Sequence, residues 1–453
     1  MLFINFQNFY HTTVILLKNQ SVHSSFSNYF GQCVDYFLRF SVSVLILFCI
    51  FVKIYKMLKK FYELSEKAIE LTDTDFIRSQ MSLLQQKERL IGIKGSRGVG
   101  KTTLLLQFAK TELAQRKKLY ISIDNPYFAK NNLFDFVDEF VKNGGEYLLL
   151  DEVHHFTDWS LTLKNVYDNF KKLKVVYTGS SLLHLTKGRA DLSRRGVSYT
   201  LQGLSLREYI NLTEKTDFRK LTLDEVLKKH IEISKSIISK VKPVLKYNEY
   251  IQIGYYPFFL ENADNYLFKL VETVNQILEA DLPLVAKISY ANINKLKQLL
   301  QVISESVPFK PNLEKISSQI EISKNTLKDY LFYLQEAMLI QLLKSGKKIN
   351  SNLTKPEKVY LHHPNLMFCL ATENTNVGNL RECFFLNQLY FTNKVNYSEF
   401  GDFLVNNKFV FEIGGKGKTY KQIANIKNSY IAADDIEIGM GNTIPLWLFG
   451  FLY

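Results

Sequence analysis

Cysteine is scarce in this chain: Cys33, Cys49, Cys369 and Cys383 are the only four among 453 residues. They form no CxxC pair and have no histidine nearby at metal-ligand spacing, which argues against a zinc site or a disulfide framework. Long apolar runs are missing as well. The densest, Phe40 to Val52, stops at Lys53 after 13 residues, short of the roughly 20 that a membrane helix needs. No basic segment leads the chain as it would in a secretory signal. These absences give the expectation of a cytoplasmic protein with reduced thiols and no membrane partner. Acidic charge is also in deficit: 44 Asp and Glu face 57 Lys and Arg, a net charge of +13. That balance points to an acidic partner such as nucleic acid. What is present is apolar material, 46% of the residues, enough for two or three cores in a chain of this length.

Residues 1–56 are rich in Phe, Tyr, Asn and Ser and poor in charge, whereas the charged, amphipathic run MLKKFYELSEKAIELTDTDF begins at Met57. The expectation is an extra segment over 1–56 that is not part of the functional chain, with an interfacial anchor as the alternative.

The stretch RLIGIKG, then GSRGVGKT, then TLLLQFAKTELAQR reads as strand, loop and helix. Gly95, Gly100, Lys101 and Thr102 fit the Walker A spacing, so Gly95, Ser96, Arg97, Gly98, Val99, Gly100, Lys101, Thr102 and Thr103 are the expected phosphate-binding residues. Backbone N–H groups at a helix start favour phosphates; Lys101 is expected to reach the β- and γ-phosphates and Thr102 to bind Mg²⁺. Downstream, EYLLLDEVHHF is a buried strand ending in two acids. Asp151 is expected on the metal and Glu152 on the attacking water. The next strand, LKVVYTGSS, ends in Thr178, Ser180 and Ser181, with Ser180 the expected γ-phosphate sensor. In GRADLSRRG, Arg189, Arg194 and Arg195 are candidates for an arginine finger, acting in cis or across a subunit interface.

The order Walker A, LLLDEVHHFTDWSLTLKNVYD, TGSS, ADLSRR and LQGLSLREYI resembles the bacterial AAA-type P-loop ATPases of the archaeal-type and STAND-like branch, which carry an uncharacterised C-terminal domain. The resemblance runs from about Met57 to Tyr453. It implies an α/β fold: a P-loop parallel-sheet ATPase domain (57–215) with a strand added between those carrying Walker A and Walker B, then a helical and winged-helix region (216–350), then a small α/β restriction-endonuclease-like domain (351–453). It also implies ATP and Mg²⁺ as cofactors, carried by Gly95, Gly100, Lys101, Thr102, Asp151, Glu152 and Ser180. The choice of ATP over GTP rests on the resemblance, since no motif here reads the purine.

Gly254 and Pro257 match the family's GxYP turn, expected as a helix–helix connection. Asn312 to Leu343 reads as a helix-turn-helix unit with Ser323 capping a second helix, whose Lys324, Asn325, Thr326 and Lys328 would face duplex DNA. A protein partner or self-association is the alternative. In the C-terminal domain, Asp402 and Glu412 match the family's metal-binding acids, with Glu382 from the preceding helix. Gly414 stands where a nuclease has its lysine, and Lys416 is displaced, so nuclease activity is not expected. GNTIPLWLFGFLY is expected to pack as a terminal strand.

Overall fold

The computed structural model describes residues 56–182, 192–286, 288–305, 312–346, 356–370 and 376–453. Residues 1–55 and Arg189 lie outside them, and with them the expectations of a leader or an anchor. The chain divides into two compact units, Met1–Leu64 and Ser65–Tyr453, and the second carries every site considered below. Among the described residues no helix is long and apolar enough to cross a membrane.

Strands β1 (Leu90–Gly95), β2 (Lys118–Ser122), β3 (Tyr147–Asp151), β4 (Lys174–Ser180) and β5 (Val197–Thr200) form a sheet in the order β2-β3-β4-β1-β5. Every pairing in it is parallel. Helices α1 (Lys101–Thr111), α2 (Leu133–Lys142) and α3 (Trp159–Asn169) connect the strands. Parallel sheets are covered on both faces, which is why Leu148, Leu149 and Leu150 are adjacent in sequence and all buried. Strand β4 lies between β1 and β3, as the added strand was expected to do.

Next come α4 (Leu206–Glu214), α5 (Leu223–Ile238), α6 (Pro243–Ile253), α7 (Tyr266–Gln276), α8 (Tyr290–Glu305), α9 (Leu313–Gln319) and α10 (Lys324–Glu336). Capping boxes at Ser205/Glu208 and Thr222/Glu225 start α4 and α5, and Ser323 caps α10 by accepting from Thr326 N. An antiparallel hairpin, β6 (Ile340–Leu343) with β7 (Lys358–Leu361), follows. The boundary expected at 350 lies outside the described residues, between these two strands in the chain.

The last part places α12 (Val377–Tyr390) against a mixed sheet of order β12-β11-β10-β9-β8, while α11 (Pro364–Leu370) packs on α6, α7 and α12. Its strands are β8 (Val395–Tyr397), β9 (Phe403–Val405), β10 (Phe409–Gly414), β11 (Ser429–Ala433) and β12 (Thr443–Pro445). The terminal segment differs from expectation. Only Thr443–Pro445 is strand; Leu446–Phe451 is a fully buried 3-10 helix, because Pro445 lacks the N–H that would extend the ladder.

Among the described residues one continuous core runs from the parallel sheet through the helices to Trp447 and Phe449, and a small satellite of Val410, Ile423, Ile431 and Ala433 lies beyond β10. The join is polar at its centre. Asn365 accepts from Tyr255 N and from Tyr266 OH and donates to the Tyr250 and Ile251 carbonyls. His363 stacks on Tyr255, with ring centroids 3.9 Å apart. His362 Nε2 lies 3.2 Å from Tyr255 OH.

Burial lowers the pKa of His362 to about 4 and that of His363 also falls, through burial and then the neighbouring His362. Between pH 4 and the usual histidine value near 6.5 the unfolded chain therefore binds more protons than the folded one. Stability is expected to fall as pH drops through that window. Urea midpoints measured from pH 7 to 4 check this, and His362→Gln should flatten the slope; an unchanged slope overturns the assignment to His362.

Candidate functional site

The loop after β1 is shaped by close packing. A Cβ on Gly95 would stand 2.4 Å from the Leu201 carbonyl, and Gly100 has φ +92°, a conformation that favours glycine. Lys101, the first residue of α1, is buried and donates to the Gly95 and Ser96 carbonyls, 3.1 Å each. Burial lowers its pKa, opposed by the charges of Glu152 and Asp151. Thr103 is exposed. Arg78, outside the motif, donates to the Val99 carbonyl and steadies the loop.

Strand β3 delivers the acids to the same end of the sheet. Thr102 Oγ1 donates to Asp151 Oδ2 at 2.7 Å, and Lys101 Nζ lies 3.9 Å from Glu152 Oε1. Asp151, 49 positions after Thr102, and Glu152, 51 positions after Lys101, are thus brought onto them. Asp151 has further partners that sequence reasoning did not assign: Tyr120 OH at 3.0 Å and the Thr178 hydroxyl, which also accepts from Glu152 N. Burial raises the pKa of Asp151, and the bonds from Thr178 and Thr102 partly offset it. The hydroxyl that organises the acids is therefore that of Thr178. Ser180 Oγ accepts from Leu182 N. His154 was also missed. Its side chain is 5% exposed with Nδ1 at 3.3 Å from Glu152 Oε2, and burial, then the neighbouring His155, lower its pKa to about 4.

The arginines are placed elsewhere. Val197 pairs beside Ile91, while the phosphate loop leaves β1 at Gly95, so Arg194 and Arg195 sit at the opposite end of a parallel sheet, on the order of 20 Å away at about 3.3 Å per residue. Arg195 is bound to both carboxylate oxygens of Asp168 at 2.9 Å, and Arg194 is exposed. A finger acting in cis does not fit this arrangement. Arg97, from the loop itself, instead pairs with buried Asp281 at 3.0 Å.

The GxYP turn is more than a connection. An added Cβ on Gly98 would lie 3.0 Å from the Phe258 ring, and one on Gly100 would lie 3.7 Å from Pro257. The segment after α6 therefore rests on the phosphate loop.

The C-terminal acids do converge, with lysines between them. Lys358 Nζ, from β7, lies 3.2 Å from Glu382 Oε2 and 3.3 Å from Asp402 Oδ1. Lys418 Nζ lies 2.5 Å from Glu412 Oε1. Burial tends to lower the Lys358 pKa, but Glu382 and Asp402 outweigh it, so the net shift is upward. Lys416, the residue read from sequence, is exposed; Lys418 takes the place beside Glu412.

A Walker A loop whose threonine meets the acid of β3, on a sheet of order β2-β3-β4-β1-β5, defines a P-loop ATPase domain. Residues 87–210 match the family described as AAA domain. Residues 244–377 match a domain of unknown function, DUF8612. The chain is 27% identical over 422 residues to the uncharacterized protein MJ1637 of Methanocaldococcus jannaschii, covering 84% of this chain and 88% of that protein. Among solved structures, the Thermotoga maritima RuvB Holliday junction branch migration motor is 14% identical with a TM-score of 0.28, covering 62% of this chain and 89% of that one. DnaA from Aquifex aeolicus, bound to AMPPCP, is 16% identical with a TM-score of 0.25, covering 61% and 88%. Likeness at that level carries nothing about function.

Proposed function

We propose that the protein binds ATP with Mg²⁺ and hydrolyses it, using the cycle to change how the helices after α6 and the C-terminal sheet engage a partner. The observation that carries this reading is the hydrogen bond from Thr102 to Asp151 with Glu152 beside it. Thr102 and Asp151 supply the oxygen donors that suit Mg²⁺. When bound, the ion neutralises charge on the β- and γ-phosphates. Residues 95–103 hold the phosphates through backbone N–H groups. Lys101 exchanges its bonds to the Gly95 and Ser96 carbonyls for phosphate oxygens, and Glu152 orients the attacking water and accepts its proton. Ser180 lies one strand away as a γ-phosphate sensor, and an arginine would come from a second copy, since Arg194 and Arg195 face away from their own loop.

The switch in this reading is the contact of Pro257 and Phe258 with the loop, together with the Arg97–Asp281 pair. Both tie the phosphate site to the helical region. We read α8, α9, α10 and the β6–β7 hairpin as a winged helix whose exposed Lys324, Asn325 and Lys328 meet duplex DNA. The C-terminal module, nuclease-like in its proposed ancestry, docks without cutting: the Lys358 ammonium sits among the acids that a catalytic metal would need.

Phosphate release by the full chain, with and without duplex DNA, tests this. Lys101→Ala should lower turnover by about 10² or more, because the γ-phosphate loses its cation; unchanged turnover removes the Walker A assignment. Stimulation by DNA that fades with salt supports the DNA contact, whereas Lys101-dependent turnover indifferent to DNA directs the search to a protein partner.

A further inference from the structure

Two histidines follow the water-orienting acid, and nucleotide hydrolysis uses neither. Glu152 has φ +55°, and this left-handed turn lets the short 3-10 helix Val153–His155 fold back beside its carboxylate. Glu152, His154 and His155 each offer one ligand atom, and the three atoms lie within 4.8 Å of one another. One edge, His154 Nδ1 to Glu152 Oε2, is already 3.3 Å. Ligands around a tetrahedral zinc at its usual bond lengths are about 3.4 Å apart, so the other two edges, at most 4.8 Å long, need close by no more than about 1.4 Å. His154 is an independent indication. Its side chain is 5% exposed, and apart from the 3.3 Å approach of Nδ1 to Glu152, which lacks hydrogen-bond geometry, neither ring nitrogen is satisfied, so the buried imidazole calls for a ligand.

We propose that Glu152, His154 and His155 form a site for one transition-metal dication, Zn²⁺ or a close analogue, and that the metal holds the Glu152 carboxylate away from the attacking water. Two imidazoles and a carboxylate suit zinc, copper or nickel, whereas Mg²⁺ prefers oxygen alone. Three protein ligands leave a fourth position for water or a phosphate oxygen. Glu152 also faces Lys101 at 3.9 Å, so the metal competes with that ammonium for the carboxylate. The inhibitory consequence rests on the hydrolytic reading above; the metal site does not.

Co²⁺, added to the full chain without nucleotide, serves as the probe. One equivalent should give the visible absorption of a low-coordinate cobalt centre, and Zn²⁺ should abolish it by displacement. His155→Ala, at an exposed position that folding does not need, and His154→Ala/His155→Ala should bind at least about 10-fold more weakly. Absence of binding, or equal binding by these variants, overturns the site. Micromolar Zn²⁺ should slow phosphate release from Mg²⁺-ATP at least about 10-fold in the parent and leave the double variant unaffected. Equal inhibition of both overturns the regulatory role. A parent that hydrolyses no ATP but gives the histidine-dependent cobalt spectrum supports the metal site while refuting the hydrolytic reading.

Discussion

Glu152→Gln is expected to keep ATP bound while slowing its hydrolysis by about 10² or more. The amide fills the same space but cannot take a proton from water, and that proton transfer is worth about this factor. The backbone should not move, because Glu152 N remains donated to Thr178 Oγ1 and Asp151 keeps its bonds from Thr102 and Tyr120. Equilibrium nucleotide binding and single-turnover phosphate release separate the two effects. Hydrolysis at the parent rate would mean that Glu152 is not the base, whatever its position beside Lys101.

Arg78→Met is expected to destabilise the fold by about 3–5 kcal/mol, the cost of taking from a buried carboxylate its hydrogen-bonded partner and leaving it only Arg207 at 3.8 Å. Arg78 and Glu208 are 6% and 1% exposed, with Nη2 at 2.7 Å from Oε2. The same guanidinium donates to the carbonyls of Val99, Gln202 and Gly203, so its loss leaves three acceptors short as well. Glu208 is itself half of the capping box that starts α4, and it belongs to the LSLREY stretch read from sequence as a family signature. The motif's physical task is thereby visible. Neighbouring Ser205 and Arg207 donate to the Tyr453 carbonyl oxygen at 2.8 and 2.9 Å, which fastens the ATPase sheet to the C-terminal segment. Urea denaturation of Arg78→Met and of Arg78→Met/Glu208→Leu is the check. The double variant should recover little of the loss, since buried Arg207 then loses its carboxylate and α4 its capping-box acid; a single variant within about 1 kcal/mol of the parent refutes the argument.

Much of the candidate nucleotide site could be proposed from sequence because its parts are local. Gly95 through Thr103 run from the end of a strand into a helix without interruption, and the run of leucines before Asp151 can only be a strand covered on both faces. Ser323 could likewise be named as a cap from its neighbours alone. The partners of Asp151 were less legible: Tyr120 sits in an amphipathic strand whose register against β3 no local pattern states, although its match to Asp151 follows once Ser122 is paired with that residue. His154 carried a signal, a second polar residue next to a buried turn, that resembles any loop histidine until its burial is known.

Sequence alone determined the elements: a phosphate loop between a strand and a helix, two acids at the end of another buried strand, a capped helix-turn-helix, and the acids Glu382, Asp402 and Glu412 in the last hundred residues. Tertiary structure decided what each element faces. It put Arg194 and Arg195 at the far end of the sheet from the loop after β1, laid Pro257 and Phe258 on that loop, paired Arg97 with Asp281, and set Lys358 between Glu382 and Asp402. The physical reason is the range of the forces that leave a trace. Backbone dihedral preferences, capping and apolar periodicity act over a few residues and are written into neighbouring positions, whereas an ion pair between residues 97 and 281 exists only once the packing of everything between them has closed the distance.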